Sequence, residues 1–87
     1  MHTEEIEISA DELNLMSEIF IELAYAEKKF PTWPDNVIEQ AAIVCEESGE
    51  LIRAALQLKY EGGNVEECRK EAIQTAAMAI RFIKNLK

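Results

Sequence analysis

The chain has 87 residues, 48% of them hydrophobic, and a net charge of −8. This length predicts one small domain over residues 1–87, and the acidic balance disfavours binding to a nucleic-acid polymer, because no basic patch can neutralise phosphates. Neither a membrane-spanning run nor a signal-peptide pattern is apparent, so we expect no membrane association and a cytoplasmic location.

The first predicted helix begins at Ser9. Glu12 follows three residues later, which is the pattern of a capping box. Apolar residues then recur at helical spacing to about Lys28 or Lys29. Residues 1–8 are expected to be a frayed terminus. They include His2, the only histidine, so histidine-based catalysis is not expected.

The segment Phe30–Asp35 interrupts this helix, because proline cannot continue a helix and restricts the residue before it. Pro34 and Asp35 suit the first turn of a second helix, predicted from about Asp35 to Lys59 or Tyr60. Its apolar residues surround most of the axis, which indicates burial on most sides and hence a partner subunit. The two cysteines, Cys45 and Cys68, are interpreted as small buried residues.

Gly62 and Gly63 are expected to end the second helix, and Asn64 with Glu67 to cap a third that runs to the C-terminus. The short turn makes the second and third helices antiparallel neighbours. The predicted fold is therefore all-α, a three-helix chain that completes four-helix-bundle-type cores by forming a homodimer or homotetramer.

Two pairs of polar residues lie within these apolar helices. Glu47 and Glu50 are three residues apart, as are Glu71 and Gln74, so each pair projects from one helix face. The pairs lie at similar distances from the turn, which predicts one cluster of oxygen ligands suited to magnesium. The alternative is a solvated acidic stripe. Gly49 indicates close approach of a ligand or helix, or simply tight packing.

The segment Glu46-Glu47-Ser48-Gly49-Glu50-Leu51, followed one hairpin later by Glu71-Ala72-Ile73-Gln74, resembles the signature of the MazG-like, all-α nucleoside triphosphate pyrophosphohydrolases. The resemblance covers roughly residues 35–83. It implies dimers or dimers of dimers, a magnesium site with Glu47, Glu50 and Glu71 as ligands, and release of pyrophosphate from a nucleotide. Gln74 departs from the pattern, which has aspartate there.

Three further residues are candidates for the site. Glu46 adjoins the ligands and is the candidate base that orients water, although it could be a solvent-facing neighbour of Glu50. Trp33 could stack on a nucleobase or close the end of the bundle. Arg81 lies about two turns beyond Gln74 and could hold a phosphate, or it could simply be solvated.

Two functions are considered. The first, which the resemblance implies, is a nucleotide pyrophosphohydrolase that depends on magnesium or manganese and acts on a nucleoside triphosphate. The second is a non-catalytic helical dimer that binds nucleotides or protein partners, which the neutral Gln74 favours.

Overall fold

The computed structural model describes residues 5–87 and contains three helices: α1 (Ala10–Lys29), α2 (Val37–Tyr60) and α3 (Val65–Asn85). None of these residues lies in a strand, so the all-α prediction is confirmed. The predicted fraying of residues 1–8 falls partly outside the described residues, as does His2. Residues 5–9 lie ahead of α1 without regular secondary structure. No helix within residues 5–87 is long and apolar enough to cross a membrane.

The start of α1 is the capping box that the sequence predicts. The Ser9 hydroxyl oxygen accepts a hydrogen bond from the Glu12 amide at 3.1 Å, and the Glu12 carboxylate accepts one from the Ser9 amide at 3.0 Å. Two amides at the N-terminus of a helix, which have no partner within the helix, are satisfied in this way. The helix ends at Lys29, as predicted.

The start of α2 differs from the prediction. The helix begins at Val37 rather than near Asp35, and Asn36 is its N-cap. The Asn36 side-chain oxygen accepts hydrogen bonds from the amides of Ile38 and Glu39, at 2.7 and 3.3 Å. Asparagine is among the best N-cap residues, and here it fixes the boundary two residues beyond Pro34.

The turn between α2 and α3 is the predicted one. Gly62 has a φ of +70°, and the Gly63 amide donates to the Gln57 carbonyl oxygen at 2.8 Å. This is the arrangement by which a left-handed glycine ends a helix. The Asn64 side chain then caps α3 by accepting from the Glu67 amide at 2.8 Å.

The third helix packs against both of the other helices. It packs along both α1 and α2, whereas no Cα of α1 lies within 8 Å of a Cα of α2 in the described part of the chain. A small core of Leu23, Ala77 and Met78 lies between α1 and α3. Two ion pairs, Glu18–Arg69 and Glu27–Lys84, also link these helices. Because α1 and α2 stand apart, a groove opens between them above α3.

The chain leaves much apolar surface uncovered. Among the described hydrophobic residues, only Leu23, Ala54, Ala77 and Met78 are buried, and many large side chains on all three helices are exposed. The prediction that Cys45 is buried is wrong for the single chain. It lies exposed on α2, while Cys68 is half-buried. Cys45 projects from the α2 face opposite α3, which no other helix of the chain covers.

Candidate functional site

A groove of about 770 Å³ opens between the three helices. One wall is α1, the other is α2 with the connecting segment, and the floor is α3. Its volume falls within the range typical of small-molecule sites. Of the sequence-predicted site residues, four line this groove: Trp33, Glu47, Gln74 and Arg81.

Glu47 is the acidic groove residue whose pKa is raised by its surroundings. Partial burial raises the pKa of its carboxyl above the ordinary value of 4.5, because desolvation disfavours the charged form. The repulsion of neighbouring carboxylates raises this pKa further, and the contributors in order of effect are Glu71, Glu46, Glu50 and Glu22. Glu71 on α3 thus acts on Glu47 across the hairpin, which agrees with the predicted register of α2 and α3.

The other predicted acidic residues differ in position. Glu71 is half-buried on α3, and Glu46 and Glu50 are exposed on α2; none of these three carboxylates is among the residues that line the groove. Within residues 5–87, no three histidine, cysteine, aspartate or glutamate side chains are grouped so that they could hold a metal ion. The oxygen donors fit magnesium in kind. A preformed cage is not required, because magnesium is commonly held by one or two carboxylates together with waters and substrate phosphates.

Trp33 and Arg81 form one unit at the end of the groove. The Arg81 guanidinium lies 4.5 Å from the centre of the Trp33 ring and donates a hydrogen bond to the Phe30 carbonyl oxygen at 2.7 Å. Arg81 is only 5% exposed. Its position beside the groove is therefore set by the connecting segment, and a cation–π contact of about 0.5–2 kcal/mol supports the arrangement.

The connecting segment is also anchored to α2. The Gln40 side-chain amide donates to the Pro34 carbonyl oxygen at 2.7 Å. Two buried atoms beside it, Trp33 Nε1 and Gln40 Oε1, have no hydrogen-bond partner among the described residues. Both residues border a second cavity of about 540 Å³. A donor and an acceptor beside one such cavity can both be satisfied by water.

The first helix contributes groove residues that the sequence analysis did not identify. Glu22, Tyr25 and Lys29 line the wall opposite Glu47. Their spacing of three and four residues places them on one helix face. This face adjoins the apolar stripe that contains Leu23 and Ala26, so periodicity predicts that the three residues share a face but not that this face borders the groove.

No protein family, curated protein or solved structure matches this chain. The resemblance to the MazG-like enzymes therefore remains a prediction that rests on the acidic segments of α2 and α3.

Proposed function

We propose that this protein is a magnesium-dependent nucleotide pyrophosphohydrolase that releases pyrophosphate from a nucleoside triphosphate. One observation supports the proposal most strongly: the Glu47 and Gln74 side chains, the Trp33 ring and two cationic side chains, Lys29 and Arg81, border the same groove. A nucleotide with its metal ion requires all three kinds of group, namely an aromatic surface for the base, cations for phosphates and hard oxygen ligands for magnesium.

The base and the phosphates would be held at the Trp33 end of the groove. The indole offers a stacking surface worth about 1–3 kcal/mol per base. Lys29 and Arg81 line the same groove and supply positive charge. Because Arg81 is held by Phe30 and Trp33, its charge is available without the entropy cost of ordering a flexible side chain.

The metal would be held at the acidic end. Glu47 on α2 and Glu71 on α3 are the carboxylates that interact across the hairpin, with the Gln74 amide oxygen and Glu50 as further donors. When bound, magnesium would neutralise polyphosphate charge and polarise the phosphorus toward attack by water. Burial and, after it, the repulsion of neighbouring carboxylates raise the pKa of Glu47, and a bound cation would relieve that repulsion.

Glu46 remains the proposed base that orients water. It is exposed and adjoins Glu47 in sequence. Glu22 is a second acidic group on the groove wall. Comparing Glu46→Gln with Glu22→Gln would distinguish them, because only loss of the base should reduce kcat while leaving KM nearly unchanged.

The test is pyrophosphate release from a panel of canonical and modified nucleoside triphosphates, with magnesium or manganese. Glu47→Gln should reduce the rate by at least about 100-fold, whereas Glu66→Gln, an equal charge change on α3 away from the groove, should leave it unchanged. Absence of pyrophosphate release from every nucleotide with either metal would refute the catalytic proposal.

A non-catalytic nucleotide-binding protein is the second candidate, and two observations favour it. Gln74 brings no charge to the groove, and no three carboxylates of the described residues are grouped around one point. Calorimetric titration of nucleotides in the presence of magnesium separates the two functions. Binding that is lost in Trp33→Ala, without any release of pyrophosphate, would establish this alternative.

A further inference from the structure

Arg81 is a buried cation without a carboxylate partner in the described part of the chain. It is only 5% exposed, and the ion pairs found among residues 5–87 involve Arg69, Lys70 and Lys84 instead. Its guanidinium donates one hydrogen bond to the described residues, to the Phe30 carbonyl oxygen. A buried charge is costly unless it is paired and hydrogen-bonded. Arg81 therefore has hydrogen-bonding capacity that the chain itself does not use.

The unused N–H groups of Arg81 are reached from the groove. A guanidinium has five N–H donors. Among residues 5–87, the buried side-chain atoms that lack a partner belong to Trp33 and Gln40, so the nitrogens of Arg81 that make no hydrogen bond are not sealed inside the protein. Arg81 lines the groove. A ligand in the groove can accept hydrogen bonds from this guanidinium, whose position is already fixed.

The place of Arg81 along the groove decides which part of a nucleotide it meets. Gln74 and Arg81 are seven residues apart on α3, so they share a helix face and lie about 10 Å apart along the axis. The inference rests on the proposed function, in which a metal beside Gln74 binds the phosphate chain. Because a nucleotide is extended, its base then lies toward Arg81. The Trp33 ring, the proposed stacking surface, is also there, 4.5 Å from the guanidinium.

The chemistry of a guanidinium edge distinguishes between bases. Two parallel N–H groups match two acceptors that lie side by side, as O6 and N7 do in guanine and hypoxanthine; this pairing with arginine is the commonest specific contact to a base edge in DNA complexes. Adenine has an amino donor in place of O6, and pyrimidines lack N7. Lys29, which lines the same groove, adds donors and no acceptor. The cations of the groove therefore favour a base rich in acceptors.

We infer that the groove selects nucleotides whose base is a 6-oxopurine, guanine or hypoxanthine, and that Arg81 donates hydrogen bonds to O6 and N7 of this base. Arg81 is then the residue that determines base specificity. The acidic end of the groove keeps its proposed role toward the metal.

The parent protein provides the first test without any substitution. The value of kcat/KM for pyrophosphate release should be at least about tenfold higher for GTP and ITP than for ATP, CTP and UTP. Replacing N7 by carbon, in 7-deazaguanosine triphosphate, should remove most of this preference, whereas the same change in ATP should have little effect. Equal values for all bases, or a 7-deaza analogue hydrolysed as fast as GTP, would overturn the inference.

Arg81→Lys provides the second test, because lysine keeps the charge but lacks the two parallel donors. The ratio of kcat/KM for GTP to that for ATP should fall close to one. Both values come from one preparation, so their ratio does not depend on the fraction of the variant that is folded. Arg53→Lys, at an exposed position on α2 outside the groove, should keep the parent ratio. An unchanged ratio in Arg81→Lys, with both values lowered equally, would show that Arg81 binds a phosphate instead.

Failure of this inference can be distinguished from failure of the proposed function. Hydrolysis of all nucleotides without a preference for 6-oxopurines would overturn the base assignment and leave the pyrophosphohydrolase standing. If no nucleotide is hydrolysed with magnesium or manganese, both are wrong.

Discussion

Glu47 combines partial burial with the repulsion of several carboxylates, and both effects raise its pKa in the folded protein. The folded protein therefore binds more protons than the unfolded chain at pH values just above 4.5. By linkage, the free energy of unfolding decreases as the pH rises through this window. The ionised Glu47 side chain is thus a cost to metal-free stability at neutral pH.

Replacing Glu47 by glutamine should remove this cost. Without metal, Glu47→Gln should unfold at a higher temperature than the parent at pH 7, and the difference should vanish as the pH is lowered through 4.5. Thermal unfolding followed by circular dichroism over pH 4–8 measures it. A parent that is as stable as Glu47→Gln at pH 7 would show that the charge on Glu47 is already compensated.

Gln74 and Glu47 line the same groove. An aspartate at position 74 would add a metal ligand, and it would also add a negative charge that repels Glu47. Gln74→Asp should bind magnesium roughly tenfold more tightly, about 1.4 kcal/mol, and should unfold at a lower temperature without metal. Its rate of nucleotide hydrolysis should equal or exceed that of the parent.

Magnesium titration by calorimetry tests this expectation, with Asn14→Asp on exposed α1 as a matched amide-to-acid control. If Gln74→Asp and Asn14→Asp bind magnesium with the affinity of the parent, position 74 takes no part in metal binding.

At the level of the elements, α2 depends on Asn36 for its start. The Asn36 side chain satisfies two backbone amides, so Asn36→Ala should lower the free energy of unfolding by about 1 kcal/mol. Urea denaturation measures the change. Asn14→Ala, an exposed position within α1, should be neutral or slightly stabilising; an equal loss in both variants would argue against a specific cap.

The helices and the hairpin could be predicted because their signals are local. Ser9 with Glu12, Gly62 with Gly63, and Asn64 each specify a terminus by hydrogen bonding to the nearby backbone. The first residue of α2 was harder to predict from the sequence, because Asp35 and Asn36 are both good N-cap residues. Only the packing of the connecting segment selects between them.

The site was predictable on α2 and α3 but not on α1. The positions of Glu47 and Gln74 could be predicted from the register of α2 and α3, because the short turn between these antiparallel helices allows little change in it. Glu22, Tyr25 and Lys29 depend instead on where α1 lies against α3. A seven-residue connection over residues 30–36 permits several placements of α1, so local sequence signals do not specify which of its faces borders the groove.

For the molecule as a whole, magnesium should act as a stabilising ligand. A metal that binds only the folded protein stabilises it by about 1.4 kcal/mol at ten times its Kd. Millimolar magnesium should therefore raise the melting temperature of the parent, with little effect on Glu47→Gln. Glu66→Gln should respond like the parent. A shift of equal size in Glu47→Gln would exclude Glu47 as a ligand.

The connecting segment gives the molecule an intrinsic optical reporter. Trp33 is the only tryptophan; its ring lines the groove and has the Arg81 guanidinium 4.5 Å from its centre. Fluorescence emission excited at the indole absorption edge therefore comes from one place in the protein, beside the proposed base-binding end. A nucleotide that stacks there should quench this emission in proportion to occupancy. Binding can thus be followed in the unlabelled protein, and separately from any turnover.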